Sequence, residues 1–506
     1  MATPDYDIVI VGAGISGINA AYRIQTAFPS FKYCILEARN AIGGTWDLFK
    51  YPGIRSDSDL FTFGFQWYPW NQNNPIGTGE SILKYLGEAT SKFGIDKNIR
   101  FHHRVQHGSW STEDQQWNLT VDSNGQTRPI TARYVIFGTG YYDYSTPLQA
   151  KIPGLDNFQG QTIHPQFWPE DLDYSGKKVV VVGSGATAVT LLPKLAEKAK
   201  LATMLQRSPT YIVELPNRNA NSWIDYILPR AACLQLKRIR WILTSRLLFL
   251  FCQAFPSTAK WALRRRTARA LPKHMSVDPH FIPSYNPWEQ RLCVCPDGDF
   301  YKALHTGHAD VVTGTIKSVT ATGIELNSGQ FLDADIIVTA TGLKLQLAGG
   351  ATVDVDGQPV KLSEKFIWRS SMLQDVPNAS FIIGYTNASW TLGADATASL
   401  VVRLLEAFRD KECTSVVPRV PNPEQLVETS VMDLKSTYVK TAQSVLPKAA
   451  TEAPWMPRDN YISDTWHAMF GSLDGLEWVN DTFGNGKVYE NGKAYGNGTA
   501  HTNGKA

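Results

Sequence analysis

The sequence predicts an α/β chain of two Rossmann-like dinucleotide-binding domains, the second inserted in the first, with a helical insertion inside the second. Two glycine-rich turns and one repeated strand ending carry that prediction. The first turn, Gly12, Gly14 and Gly17, follows the apolar run Asp7 to Val11; the second, Gly183, Gly185 and Ala188, follows Val179 to Val182. Such a turn between strand and helix lets backbone amides approach a pyrophosphate, which then lies at the positive end of the helix dipole. YVIFGTG, from Tyr134 to Gly140, is answered by ADIIVTATG, from Ala334 to Gly342. Two strands that end in Thr-Gly bracket an inserted domain, after which the chain returns to finish the first.

The gross composition agrees. The chain has 506 residues, room for about three domains, and 43% hydrophobic with 19% charged residues supports a substantial core. A net charge of +3 argues against a general nucleic-acid binder. Cys34, Cys233, Cys252, Cys293, Cys295 and Cys413 are too scattered for a disulfide framework, and MATPDYD has no signal-peptide pattern. A reducing, cytoplasmic compartment is expected. No run of about 18 apolar residues is present, so no span of the membrane is expected.

In chain order, Asp7 to Val11 is apolar without helical period, as a strand buried on both faces should be. The turn, Ser16 included, opens a helix through Ala20, Ala21 and Ile24, and the next strand, Tyr33 to Leu36, ends at Glu37. A carboxylate there accepts hydrogen bonds from ribose hydroxyls and repels a 2′-phosphate, which suits FAD or NAD. The stretch Gly43 to Asp59 follows, GGTWDLFKYPGIRSDSD, in which Gly44 permits close backbone approach. Thr45 and Asp47 offer polar groups to a ribityl chain or pyrophosphate, and Trp46 can wall a ring system. Leu60 to Trp70 reads equally as aromatic core or substrate wall. Phe101 to Trp110 and Gln116 to Val121 alternate like paired strands, with the Val105 backbone placed toward an adenine. His102 and His103 have no metal-ligand set around them and read as exposed strand residues.

The linker Tyr141 to Pro153 leads into the second domain, whose turn includes Ser184, Ala186 and Thr187. Its next strand, Leu201 to Gln206, ends in Arg207 and Ser208. A guanidinium where the first site has Glu37 matches a 2′-phosphate in charge and fork geometry. The first site is therefore assigned to FAD and the second to NADPH. The expected FAD domain is 1–142 with 343–484, the NADPH domain 143–212 with 286–342, the helical insertion 213–285, and 485–506 a disordered tail. From Arg230 through Lys273 the insertion has eleven Lys or Arg and no Asp or Glu. A peripheral membrane contact and a solvated face that attracts NADPH are the two readings of that charge. Beyond Gly342, Phe381 to Tyr385 reads as a buried strand, Thr386 to Leu392 as an active-site loop, and Leu400 to Asp410 as a helix. Asn-Gly recurs every six residues from Asn485, in sequence too polar to order itself.

Two long gapped patterns are more specific than either turn. GGTWDLFKYPGIRSD, and the set Phe158, Gly160, His164, Trp168 and Pro169, resemble the two fingerprints of type I Baeyer-Villiger monooxygenases. Within that family, HPQFWPEDLDY, MLQRSPTYIV and YNPWEQRLCVCPDGD look most like the bacterial ethionamide-activating FAD monooxygenases. The resemblance implies that NADPH reduces FAD, O2 adds to the flavin, and the resulting C4a-peroxyflavin attacks a ketone to give an ester or lactone, with thioethers or thioamides sulfoxidised as well. It also implies that Arg291 keeps that species anionic, with Asp57 as its carboxylate partner and Arg55 and Ser56 beside the nicotinamide. Several ketone-oxidising relatives have a lysine where this chain has Gln290, which leaves Arg207 most of the 2′-phosphate recognition. His164 reads as a hinge or hydrogen-bonding residue of the interdomain connector.

Three alternatives were open. A flavin monooxygenase acting on soft nitrogen or sulfur through a hydroperoxyflavin would not need Arg291. A disulfide reductase would need a redox cysteine pair, and Cys293 and Cys295 stand one residue apart on a predicted strand. A nucleotide sensor would form no product.

Overall fold

Apolar runs without helical period become strands buried on both faces, and they organise two separate parallel sheets. The computed structural model describes residues 3–218, 224–432, 442, 444–480, 487–490 and 493–495. In the first sheet Tyr6–Val11 lies between Tyr33–Leu36 and Gln126–Phe137, parallel to both. Ile99–Arg100 and Ala379–Phe381 extend it on either side. Helices Ile15–Ala27 and Trp390–Lys411 share one core against it through Ile18, Ala21, Ile24, Ala394, Ala398 and Val401. The twelve-residue strand Gln126–Phe137 also pairs antiparallel with Gln116–Ser123, which pairs with His103–Ser111. One strand thus belongs to both a Rossmann-like sheet and a meander.

The second sheet has five parallel strands in the order Ala309–Thr313, Leu201–Gln206, Lys178–Val182, Ile336–Thr339 and Gln161–Ile163. Helix Ala186–Ala196 packs on it through Val189, Leu192 and Leu195. Two chain crossings join the sheets, and they run side by side. Asp143 N–H donates to Lys344 O at 2.8 Å, Gln346 N–H donates to Tyr141 O at 3.0 Å, and Lys344 forms an ion pair with Asp143 at 2.9 Å.

Strands Ile212–Leu215 and Cys293–Pro296 pair in parallel, so the intervening helical segment leaves and re-enters the second sheet's side at one place. It contains helices Arg230–Ala254 and Pro256–Ala270. One of its eleven cations is buried: Arg238, 3% exposed, donates through Nη1 to the carbonyls of Phe61, Thr62 and Gly64 at 3.1, 3.3 and 2.5 Å. That guanidinium fastens the insertion to the first domain.

Three expectations change. The strand expected at Phe381 to Tyr385 is Ala379–Phe381 and ends where it was expected to begin. Beyond it Gly384 meets helix Trp390–Lys411 closely, where a Cβ would fall 2.4 Å from Trp390 Cδ2. That helix starts at Trp390, inside the expected loop Thr386 to Leu392 and ten residues before the helical spacing noted at Leu400. Of the expected disordered tail 485–506, the described residues form strands Lys487–Glu490 and Lys493–Tyr495, which continue from Leu476–Asn480. Val488, Tyr489 and Tyr495 suit a strand, a local signal outweighed in the reading by the polar average. The remainder of that tail lies outside the described residues.

Arg238→Met should cost about 2 kcal/mol, because it leaves three buried carbonyls without a donor. Chemical denaturation of the FAD-loaded enzyme checks this; stability within about 0.5 kcal/mol of wild type would show that the fastening is dispensable.

Candidate active site

Close backbone approach shapes the floor of a cavity of about 560 Å³. Gly12 has φ +100°, and a Cβ on Gly17 would fall 1.9 Å from Gly12 O, so no larger residue fits there. Helix Ile15–Ala27 begins at Gly14 with no side-chain cap and no acid in its first turn, and helix Ala186–Ala196 begins at Gly185 in the same way. Both leave N–H groups and a positive dipole end for an anion. Glu37 is buried at the end of its strand, where its carboxylate accepts the N–H groups of Ala13 at 2.7 Å and Arg39 at 2.9 Å. The residues therefore fit a bound dinucleotide: bare glycine edges, uncapped amides and one fixed acid. Thr45 Oγ1 lies 3.0 Å from Tyr144 OH, and Trp46 meets Phe63 edge to face.

Toward the second sheet the cavity wall becomes charged. Arg55 pairs with Asp299 and donates to Val294 O at 3.2 Å. Its Nε is buried with no partner among the described residues. Arg291 is an exposed residue of the cavity wall, and it donates through Nη2 to Tyr385 O at 2.8 Å and through Nε to Thr386 O at 3.2 Å. Two carbonyl acceptors leave its full positive charge in place while fixing its direction. Asp57 stands within the field of both arginines; burial pushes its carboxyl up to about 6, against their pull and with the Asp299 carboxylate adding to the rise. Three residues before Arg291, Trp288 adopts φ +74°, a left-handed conformation that costs a bulky residue about 1–3 kcal/mol.

A family model described as "Pyridine nucleotide-disulphide oxidoreductase" matches residues 9–228. The FAD-containing monooxygenase EthA of Mycobacterium tuberculosis (strain ATCC 25618 / H37Rv) is 44% identical over 480 residues, covering 93% of this chain and 97% of EthA. This chain belongs to the EthA-type FAD-containing monooxygenases. The crystal structure of OTEMO in complex with FAD and NADP is similar at a TM-score of 0.71 and 20% identity, covering 94% of this chain and 100% of that one. Cyclohexanone-bound cyclohexanone monooxygenase in its rotated conformation is similar at 0.71 and 19% identity, covering 94% and 99%. The monooxygenase thus has the fold of Baeyer-Villiger monooxygenases. It is an enzyme, an FAD-containing monooxygenase. Its six cysteines are free thiols, and burial pushes those of Cys293 and Cys295 up to about 12, as packing residues.

The cavity of this monooxygenase brings together Gly12, Gly14, Ser16, Glu37, Gly44, Thr45, Trp46, Arg55, Ser56, Asp57, Val105, Ala186, Thr187 and Arg291. Gly17 lies beneath it against Gly12, and Asp47 is held outside by Arg39. Gly183, Ser184, Gly185, Ala188, Arg207 and Ser208 do not line it. They form their own turn, where Ser184 Oγ donates to Ser208 O at 2.9 Å and Arg207 is exposed. Of the aromatic stretch Leu60 to Trp70 only Phe63 reaches the cavity; Phe65 and Trp67 stack on each other as core. His102, at φ +57°, is an exposed turn residue, and His103 opens the next strand with Nδ1 2.7 Å from Phe101 O. His164 sits off the cavity in the connector, capping a short 3-10 turn by accepting Gln166 N–H. Burial lowers its imidazole pKa while the Gly342 carbonyl opposes that shift.

Sequence reasoning missed Arg39, Tyr141, Tyr142, Tyr144, Thr190 and Gln346 as cavity residues. The tyrosine cluster of the linker was the one available signal. Trp390, within the expected active-site loop, donates to Ser16 Oγ at 2.8 Å and stacks on Tyr141.

The shift at Asp57 has a consequence for stability. Its folded pKa lies above the ordinary 3.8, so the native state holds a proton that the unfolded chain has released between those values. Stability from this group is therefore full below the ordinary pKa and is lost as pH rises through about 6. Asp57→Asn should raise Tm relative to wild type at pH above that window and leave it unchanged below it. Calorimetry across pH checks this, and an equal difference at both ends would contradict the shift.

Proposed function

We propose that the enzyme uses NADPH and O2 to insert one oxygen atom next to a ketone carbonyl, giving an ester or lactone, and that it also oxygenates the sulfur of thioethers or thioamides. In this reading the first sheet's side, 1–142 with 343–484, holds FAD, and 143–212 with 286–342 holds NADPH. Bound FAD supplies the redox chemistry that activates O2 once NADPH has reduced it. Gly12, Gly14, Ser16 and Gly17 receive the FAD pyrophosphate at the uncapped helix start, and Glu37 holds its ribose. Gly44, Thr45 and Trp46 line its middle, with Asp47 outside the cavity on Arg39, and Val105 meets the adenine through its backbone. Gly183, Ser184, Gly185, Ala186, Thr187 and Ala188 receive the NADPH pyrophosphate, while Arg207 and Ser208 bind its 2′-phosphate.

The observation that carries the reaction type is Arg291 at the cavity wall, aimed by two carbonyls and balanced by Asp57. A fixed guanidinium favours anionic oxygen over its protonated form and stabilises the negative charge that develops when a carbonyl carbon is attacked. Asp57 supplies the counter-charge to that guanidinium, and Arg55 and Ser56 stand beside it to orient the nicotinamide. Oxygenation of sulfur needs no such charge, since a sulfur lone pair attacks an electrophilic oxygen. The reading also includes peripheral contact of residues 230–273 with a membrane.

Arg291→Ala should still oxidise NADPH but lose at least about 100-fold in ester formation, the scale on which removing one stabilising donor acts. Product analysis on linear, cyclic and aryl ketones checks it; unchanged ester yield would remove Arg291 from the chemistry. Sulfoxides without esters from wild type across that panel would favour a soft-nucleophile oxygenase. Arg207→Ala should raise KM for NADPH about tenfold and leave KM for NADH unchanged, measured by steady-state NAD(P)H oxidation. Equal loss with both nucleotides would take the 2′-phosphate away from Arg207.

A further inference from the structure

We propose that the helices Arg230–Ala254 and Pro256–Ala270 form a docking surface for an anionic lipid bilayer, on which the enzyme lies without crossing it. The inner side of the first helix is committed to the protein. Arg238 binds the carbonyls of Phe61, Thr62 and Gly64, Trp241 stacks near Phe61, and Phe249 meets the ring of Trp288 at 5.7 Å. The outer side carries Leu236, Ile239, Leu243, Leu247 and Leu250 at steps of three and four residues, which places them in one stripe. Leu236 is 44% exposed and Leu247 63%. Along the helix the stripe runs about 21 Å, a contiguous apolar surface that a protein bathed only in water rarely keeps. Trp261 on the second helix is 60% exposed as well.

Charge selects the occupant. Between residues 230 and 273 stand eleven Lys or Arg and no Asp or Glu, and Arg240, Arg264, Arg265, Arg269 and Lys273 are exposed. Leucines flanked by cations, with no anion among them, match the boundary between acyl chains and acidic headgroups. A second copy of the same face would bring like charges together. A nucleic acid would have no use for the leucine stripe. No single helix among the described residues is long and apolar enough to cross a membrane. The two helices meet that measure only together and are bent by 112°, and the packed inner side leaves just one side to lie in lipid. A second exposed stripe, Ile462, Trp466 and Met469, begins three residues after Asp459, which Arg246 binds at 3.2 Å. Tryptophan favours that boundary depth.

The contact of Phe249 with Trp288, three residues before Arg291, puts this helix against the loop that carries the charge of the active site. Ketones and sulfides that partition into lipid are the substrate class this arrangement suits. That substrate class rests on the proposed oxygenation; the docking does not.

Flotation of the full-length, FAD-loaded enzyme with vesicles tests the docking, using phosphatidylcholine alone and phosphatidylcholine mixed with phosphatidylglycerol. Wild type should float with the anionic vesicles, and about tenfold less with neutral ones or at high salt. Leu247→Ser with Leu250→Ser, and separately Arg264→Gln with Arg265→Gln, should each weaken binding about tenfold and leave turnover of a water-soluble sulfide unchanged. No flotation with either vesicle, or flotation indifferent to both pairs of substitutions, would overturn the proposal. A wild-type dimer that the leucine pair splits, without vesicle binding, would give the face to a second copy and also overturn it. Vesicle binding by an enzyme that forms neither ester nor sulfoxide would leave the docking standing and remove the oxygenation.

Discussion

The side-by-side crossings at Tyr141 to Asp143 and Lys344 to Gln346 are the contact on which the active site depends. Backbone hydrogen bonds join them, and the Lys344 ion pair sits on an Asp143 side chain that is itself 4% exposed. Ser145 and Thr146 N–H groups also donate to that carboxylate; burial alone would raise its pKa, but these partners hold it below the usual range. Gln166 donates to Asp143 O, so the connector that contains His164 is stitched to the same point. Two chain passages bonded to each other limit how the sheets move relative to one another. Residues contributed by one sheet then meet residues contributed by the other in a repeatable geometry.

What meets there is an arrangement of charge. Arg55 comes from the fingerprint after the first turn and Arg291 from the loop that leads into strand Cys293–Pro296, and Asp57 feels both. Burying a carboxylate disfavours its charged form, and two guanidinium groups do not fully offset that cost here. At neutral pH that leaves a charge arrangement around Asp57 that is unfavourable for the fold.

Much of the frame was legible in local pattern. Val179 to Val182 and Asp7 to Val11 announced themselves as doubly buried strands, and each became one within a residue. The glycines of the first turn were legible because only glycine tolerates Gly12's backbone angle and the space at Gly17. The strand near Phe381 was misplaced because burial alone does not separate a strand from a buried irregular segment: Ile382, Ile383 and Tyr385 are buried like the strand before them. Arg238 looked like one solvated cation among eleven, since nothing in its neighbours reveals three carbonyls some 175 residues away in sequence.

The sequence by itself determined the two nucleotide frames, their order and the sign of charge at the end of each second strand, because these depend on neighbours within about 30 residues. It also held the long gapped patterns through which the family was visible. Only the tertiary structure decided that Arg291 shares a wall with Asp57, that Tyr144 reaches Thr45, and that the second turn keeps Arg207 outside the shared cavity. Those are meetings of segments far apart in the chain, set by how two sheets pack across a paired crossing, and periodicity carries no record of that distance.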